Sequence, residues 1–327
     1  MVLILSIDNT VISILSDYDG TLCPTSNVDQ YGELGYLPKE LEETLFDISH
    51  NLPICIVSSK DFSFLYKRTN RFSRIISCIL GMETIFLGDK ERKEGDMFYT
   101  LNKIANSSLS NSYELYRTMP KEHRHLLVDA SILRENSIIL TELVKYIETK
   151  IPSIKIDKKY LTVEKDLLGG ITMDWRNDEQ EKWKLNSKKY KKILKEGLYR
   201  ITSKYANTKN LSNKYLENYF ERLFIQEYST HSFLDIYSSK IGKEVAYDCI
   251  VSEIFNRKQK LGKVIYLGDS ENDNPAFRRA DISIGIYSNR STIPRLSCKY
   301  YLKYDNLTSF LRNLAENDFV FCESMIR

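Results

Sequence analysis

The sequence predicts an α/β protein built in two parts, and three observations carry that prediction. A hydrophobic strand, a helix and a second hydrophobic strand follow one another within residues 11–57, the order of a right-handed parallel βαβ unit. Strand-like runs return near the C-terminus, at 263–267 and 282–286. The stretch between differs in character, with alternating segments and Lys-rich runs. The expectation is a discontinuous parallel-sheet core, residues 1–84 and 236–327, interrupted by an inserted α+β domain at 85–235. A chain of 327 residues exceeds what one hydrophobic core usually organises, which fits two domains.

Each element has its own warrant. Val11 to Ser16 is a β-branched and aliphatic run that stops at Asp17-Tyr18-Asp19-Gly20, a strand running into a turn. Leu37, Leu41, Leu45 and Ile48 recur at helical spacing, and Pro38 with the acids after it suits a helix start. Pro53 to Val57 is a second buried strand, ending at Ser58-Ser59. In the middle region, 153–163 and 170–175 alternate as strands do, and 107–112 is a Ser/Asn-rich loop. Lysines 182, 184, 188, 189, 191, 192 and 195 accompany Tyr190, Ile193, Leu194 and Leu198, an amphipathic helix with a solvated basic face. Residues 244–257 read as a helix, 263–267 as a strand ending at Gly268-Asp269, and 309–327 as a closing helix.

Composition removes several function classes. Lys and Arg total 47 against 44 acids, a net charge of +3, which calls for no nucleic-acid partner. No apolar run approaches the length of a membrane span. The apolar start, Met1 to Ser6, lacks a basic leader and reads as a core strand rather than a signal peptide. The six cysteines form no CxxC pair and suit buried thiols of a cytoplasmic protein. His123 and His125 have no cysteine or further histidine near them in sequence, so they are not read as metal ligands.

Four constellations carry chemistry. Asp17 and Asp19, one residue apart in a turn after a strand, can point at a common centre, one attacking phosphorus and the other moving a proton. Gly20 lets the chain turn sharply. A calcium loop would need a Glu at its twelfth position, which from Asp17 is Val28. Ser58 and Ser59 at a strand end can bind a phosphate oxygen, or cap a helix. Lys243 opens a helix, where the dipole disfavours a cation unless an acid or phosphate pairs with it. Gly268-Asp269-Ser270-Glu271-Asn272-Asp273 sets oxygen ligands directly after a strand, a pattern that suits Mg²⁺. In open α/β sheets, ligands bind beyond the carboxyl ends of strands, where three of these four lie.

In this order, the four motifs resemble those of the haloacid dehalogenase-like (HAD) phosphohydrolase superfamily: Asp17 to Leu22 as DxDGT-L, Ser58 as the strand-end hydroxyl, Lys243 as the lysine, and Gly268 to Asp273 as GDxxND. The resemblance implies a Rossmann-like core with a C2-type cap as the insertion. It implies Asp17 as the nucleophile that forms an aspartyl-phosphate and Asp19 as the acid and base. Ser58, Ser59 and Lys243 would bind phosphate. The implied cofactor, Mg²⁺, would be held by Asp17, the backbone carbonyl of Asp19 and Asp269, with Asp273 in the same acidic set and Asn272 and Gly20 in support. An Asp at position 19, where ATPase variants of the superfamily carry Thr, implies phosphatase chemistry.

Within the superfamily the cap is similar to that of trehalose-6-phosphate phosphatases. Glu164, Lys165 and Arg176 match V-E-x-K and the strand-end Arg, although the spacer is missing and Asp174-Trp175 replaces His-Tyr. These three are substrate-contact candidates, or else a cross-strand ion pair. Ser58-Ser59-Lys60 and Gly268-Asp269-Ser270 resemble mannosyl-3-phosphoglycerate and sucrose-phosphate phosphatases instead. The expected partner is a small phosphorylated sugar, trehalose 6-phosphate leading, with no nucleic acid and no membrane. A phosphosugar mutase uses the same two acids and would need a bisphosphate activator. A nucleic-acid module on 182–195 would leave the four motifs unexplained.

Overall fold

The computed structural model describes residues 9–24, 36–87, 123–162, 166–176, 178, 182–208, 223–228, 232–258, 262–288 and 295–326. The chain divides into two compact units, Met1–Leu127 with Gly242–Arg327, and Val128–Ile241. The sequence-drawn boundaries differ at both ends. Strands at 83–86 and 124–126 pair with the larger sheet, and Phe233–Tyr237 pairs within the smaller one.

The first unit is built on an eight-stranded sheet. Its strands are β1 (Val11–Ser16), β2 (Ile54–Val57), β3 (Ser73–Cys78), β4 (Glu83–Phe86), β5 (Arg124–Leu126), β10 (Lys263–Gly268), β11 (Ile282–Tyr287) and β12 (Tyr300–Lys303). The spatial order is β12-β11-β10-β1-β2-β3-β4-β5. The six strands from β12 to β3 are parallel, and β4 and β5 join antiparallel at one edge. Strands buried on both faces read as continuous apolar runs, as β1 and β2 do.

Helices cover this sheet. α1 (Lys39–Ser49) follows Pro38, carries Glu40 and Glu42 in its first turn, and buries Leu41, Leu45 and Ile48. α2 (Phe62–Thr69) is capped by Asp61, which accepts from the Phe64 N–H at 2.9 Å. One face of the sheet, through Ile12, Leu15, Cys55, Val57, Val264 and Tyr266, shares a core with Ala246, Tyr247, Ile250 and Ile254 of the helix Lys243–Lys258.

The second unit holds a four-stranded antiparallel sheet of β6 (Lys155–Tyr160), β7 (Leu168–Asp174), β8 (Phe224–Glu227) and β9 (Phe233–Tyr237), in the order β6-β7-β9-β8. α3 (Ala130–Lys150) and α4 (Trp183–Thr208) pack on it through Ile139, Leu143, Ile147, Tyr190, Leu194 and Leu198, against Ile171, Met173, Leu234 and Ile236. α5 is Lys243–Lys258 and α6 is Leu307–Glu316; the latter packs on α1.

Candidate active site

β1 and β10 are neighbours, with Ser16 opposite Leu267. Each hands an acid to the same strand ends: Asp17 directly after β1, Asp269 directly after β10. The Asp17 N–H donates to the Leu267 carbonyl at 2.9 Å, which fixes the first turn to β10. The chain then bends at once: the Leu22 and Cys23 N–H groups both donate to the Tyr18 carbonyl at 2.9 Å. Gly20 takes φ +80° in this bend, and a Cβ there would lie 2.0 Å from Asp269 Oδ2. Glycine is therefore required twice, by conformation and by space. Thr21, fully buried, donates from Oγ1 to Asp269 Oδ1 at 3.1 Å.

Lys243, the first residue of α5, is fully buried. Its Nζ donates to Asp273 Oδ1 at 2.7 Å and forms an ion pair with Asp17 Oδ1 at 3.0 Å. Carboxylate oxygens of Asp17, Asp269 and Asp273 fall within 4.8 Å of one another. Burial pushes the Asp17 carboxyl up to about 7, against the pull of Lys243 and reinforced by Asp273 and Asp19. Burial, then Asp17 and Asp273, push Asp269 well above the carboxylate range. Burial alone would lower the Lys243 ammonium; Asp17 and Asp273 outweigh it and hold the group above the ordinary lysine range.

These observations test the fit of a cation. One ammonium stands among three carboxyl groups, and burial with mutual repulsion pushes Asp17 and Asp269 toward their protonated forms, a cost that a bound cation would remove. Oxygen-only donors of this kind fit Mg²⁺. Asp273 differs from the other two acids. Its Oδ2 accepts from the Asp269 and Ser270 N–H groups at 3.1 Å each and from Ser270 Oγ at 3.4 Å, while its Oδ1 accepts from Lys243 and from Tyr266 Oη, each at 2.7 Å. Both oxygens are thus engaged by the chain itself. Asn272 accepts from Ser270 Oγ at 3.0 Å and so shapes the same turn.

The structure brings Asp17, Gly20, Lys243, Asp269 and Asp273 together. Asp19 stands at the rim, its carboxylate about one-third exposed and 3.7 Å from Lys60 Nζ. Ser58 and Ser59 follow β2, the other neighbour of β1; Ser58 is fully buried, and its Oγ accepts from the Lys60 N–H at 3.4 Å. Glu164 and Lys165 lie outside the described residues. Arg176, in the second unit, forks onto Asp174: Nε donates at 3.0 Å to both carboxylate oxygens and Nη2 at 2.6 Å to Oδ2. The ion-pair alternative for this arginine is therefore formed, though with its neighbour two residues back rather than across strands.

Sequence reasoning missed two contributors to this site and one buried ion pair of the second unit. Thr21 sits within the first motif, but its role needs Asp269, 248 residues away. Tyr266 reads as one more apolar residue of β10. In the second unit, Asp235 of β9 accepts from Lys159 Nζ at 2.8 Å, Tyr228 Oη at 2.7 Å, Tyr237 Oη at 3.0 Å and Thr172 Oγ1. Both members of this ion pair are buried. Burial opposes the Asp235 charge, yet Lys159 and the hydroxyls hold its carboxyl below the usual range.

Comparison with known proteins adds the following. A family profile described as haloacid dehalogenase-like hydrolase matches residues 36–300, beginning after the Asp17 turn. A search of curated protein sequences found no significant match. The C-terminal domain of trehalose-6-phosphate phosphatase from C. albicans superposes with TM-score 0.59 at 14% identity, over 94% of this chain and 93% of that one. A haloacid dehalogenase-like hydrolase from Bacteroides thetaiotaomicron superposes with TM-score 0.51 at 12% identity, over 93% and 99%. At such identities the likeness is one of fold.

Proposed function

The chain belongs to the haloacid dehalogenase-like hydrolases, and from that premise we propose that it is a Mg²⁺-dependent phosphatase that hydrolyses a phosphorylated sugar. The observation that carries this reading is the buried Lys243 shared between Asp17 and Asp273 at the joint end of β1 and β10. A carboxylate nucleophile and a phosphate dianion repel one another, so cations must stand beside both. Lys243 is one such cation. Mg²⁺ would be the other: Asp17, the Asp19 backbone carbonyl and Asp269 would hold it, and it would supply charge neutralisation at the phosphoryl oxygens.

The chain's own residues then divide the work. An Asp17 carboxylate oxygen bonds to phosphorus as the ester P–O bond breaks. Asp19 gives its proton to the departing sugar oxygen. Water next attacks phosphorus, Asp19 takes its proton, the acyl phosphate bond breaks, and Asp17 is freed with inorganic phosphate as product. Lys243 holds phosphoryl oxygens throughout, and Ser58 and Ser59 at the end of β2 offer further donors. Asp273, its oxygens occupied, keeps Lys243 in place.

Trehalose 6-phosphate leads as substrate, supported by the Arg176 motif resemblance and by the substrate named for the C. albicans protein of like fold. Sucrose 6-phosphate and mannosyl-3-phosphoglycerate follow, on the resemblance at Ser58 to Lys60 and at Gly268 to Ser270. The inserted unit is the part assigned to select the sugar. Phosphate release across these three esters tests the reading. Turnover of one disaccharide phosphate names the substrate class. Silence on all three, with turnover of an aryl phosphate, removes the sugar and keeps the chemistry.

A further inference from the structure

β10 is a central strand of a parallel sheet, where aliphatic side chains are the rule. Its neighbouring residues Val264, Ile265 and Leu267 obey that rule, and Tyr266 does not. The Tyr266 ring is fully buried, edge-on to Phe277 at 5.4 Å and to Tyr247 at 6.3 Å. A phenylalanine would fill the same space. The hydroxyl therefore needs a reason, because burying one without a partner is costly.

Its partner is Asp273 Oδ1, at 2.7 Å. That carboxylate is not short of donors. Its Oδ2 is held by the turn at 269–270, and its body lies against Gly268, where a Cβ would come within 2.5 Å of Cγ. Its Oδ1 already accepts from Lys243 Nζ at 2.7 Å. A carboxylate offers about four acceptor sites, two on each oxygen, and Tyr266 takes the second site on Oδ1, beside Lys243. What the phenol adds is competition at the oxygen that grips the lysine. Lys243 has a second claimant, Asp17 Oδ1 at 3.0 Å. Weakening the grip of Asp273 leaves the ammonium shared rather than withdrawn.

We propose that Tyr266 is a positioning residue: by donating to Asp273 Oδ1, its hydroxyl keeps the Lys243 ammonium extended toward Asp17 and the phosphoryl oxygens. This rests on the phosphatase reading above. Without the hydroxyl, Asp273 draws Lys243 back and the phosphate site loses a cation contact. Misplacement of a charged contact by a fraction of an ångström to an ångström costs roughly tenfold to a hundredfold.

The test uses the full chain with Mg²⁺, p-nitrophenyl phosphate as substrate and inorganic phosphate as inhibitor. Tyr266→Phe is compared with wild type and with Tyr247→Phe, a nearby phenol not bonded to Asp273. Thermal midpoints confirm that each protein is folded, and Tyr266→Leu repeats the test with a different apolar filling. The expected result is a fall of about tenfold in kcat/KM for both Tyr266 variants and a matching rise in the inhibition constant of phosphate, with Tyr247→Phe unchanged. A purely structural role lowers the amount of active enzyme, so kcat falls while KM and the phosphate inhibition constant stay fixed; that result overturns the proposal. A wild-type protein inert toward p-nitrophenyl phosphate and toward the three sugar phosphates alike overturns the phosphatase reading itself, and the role of Tyr266 falls with it.

Discussion

Replacing Gly20 with alanine tests the closeness of the two motif turns. The new Cβ would sit 2.0 Å from Asp269 Oδ2 and 2.5 Å from its Cγ. Ordinary contact begins at 3.4 Å, so the carboxylate must retreat by about 1.4 Å. It cannot do so without lengthening its 3.1 Å bond from Thr21. Alanine at φ +80° adds a backbone cost of ~1–2 kcal/mol. The stability loss alone lowers the thermal midpoint by a few degrees. The larger effect is on chemistry: displacement of a positioned group by about 1 Å costs on the order of 100-fold in kcat/KM. Two assays separate the terms, phosphate release at saturating Mg²⁺ and a Mg²⁺ titration of activity. The expected Gly20→Ala protein is folded, needs more Mg²⁺ and is about 100-fold slower. A variant with wild-type rate and Mg²⁺ requirement would refute the reasoning that Gly20 and Asp269 share one crowded site.

Two further expectations concern the second unit. Lys159→Met leaves the Asp235 carboxylate buried with neutral donors alone, so it should cost about 3–5 kcal/mol, read as a lowered midpoint in urea; an unchanged midpoint would show that the pair is not desolvated. The Asp235 carboxyl is held below its ordinary value of 3.8, so its stabilising contribution is full above that value and is lost as pH falls through the lowered native one. Thermal midpoints between pH 6 and 2 should drop more steeply below 3.8 for wild type than for Asp235→Asn; parallel curves would remove Asp235 as the cause.

Much of this site was legible in one dimension because its polar residues follow apolar strands directly. Asp17 after β1, Ser58 after β2 and Asp269 after β10 each break a buried run, and in a parallel sheet those breaks fall on one edge. Lys243 was legible as a cation placed against a helix dipole. Residues whose role depends on a distant partner were not. Lys159 and Asp235 are separated by 76 residues; Lys159 stands in a mostly exposed, Lys-rich strand, and Asp235 is the one acid of an otherwise apolar strand. Tyr266 becomes a polar contact only when α5 brings Lys243 and the following turn brings Asp273 to the end of β10. The helix α3, 21 residues long, was not assigned from sequence, and neither was the antiparallel edge formed by β4 and β5. Those edge strands are four and three residues long, too short for a periodic signal.

The central claim is that Asp17 is the nucleophile of a metal-dependent phosphatase. The most direct measurement is phosphate release from p-nitrophenyl phosphate by wild type and Asp17→Asn, each with Mg²⁺ and with EDTA. Wild type with Mg²⁺ should release phosphate, and neither wild type in EDTA nor the variant should release any. Equal release by Asp17→Asn, or full release in EDTA, would contradict it.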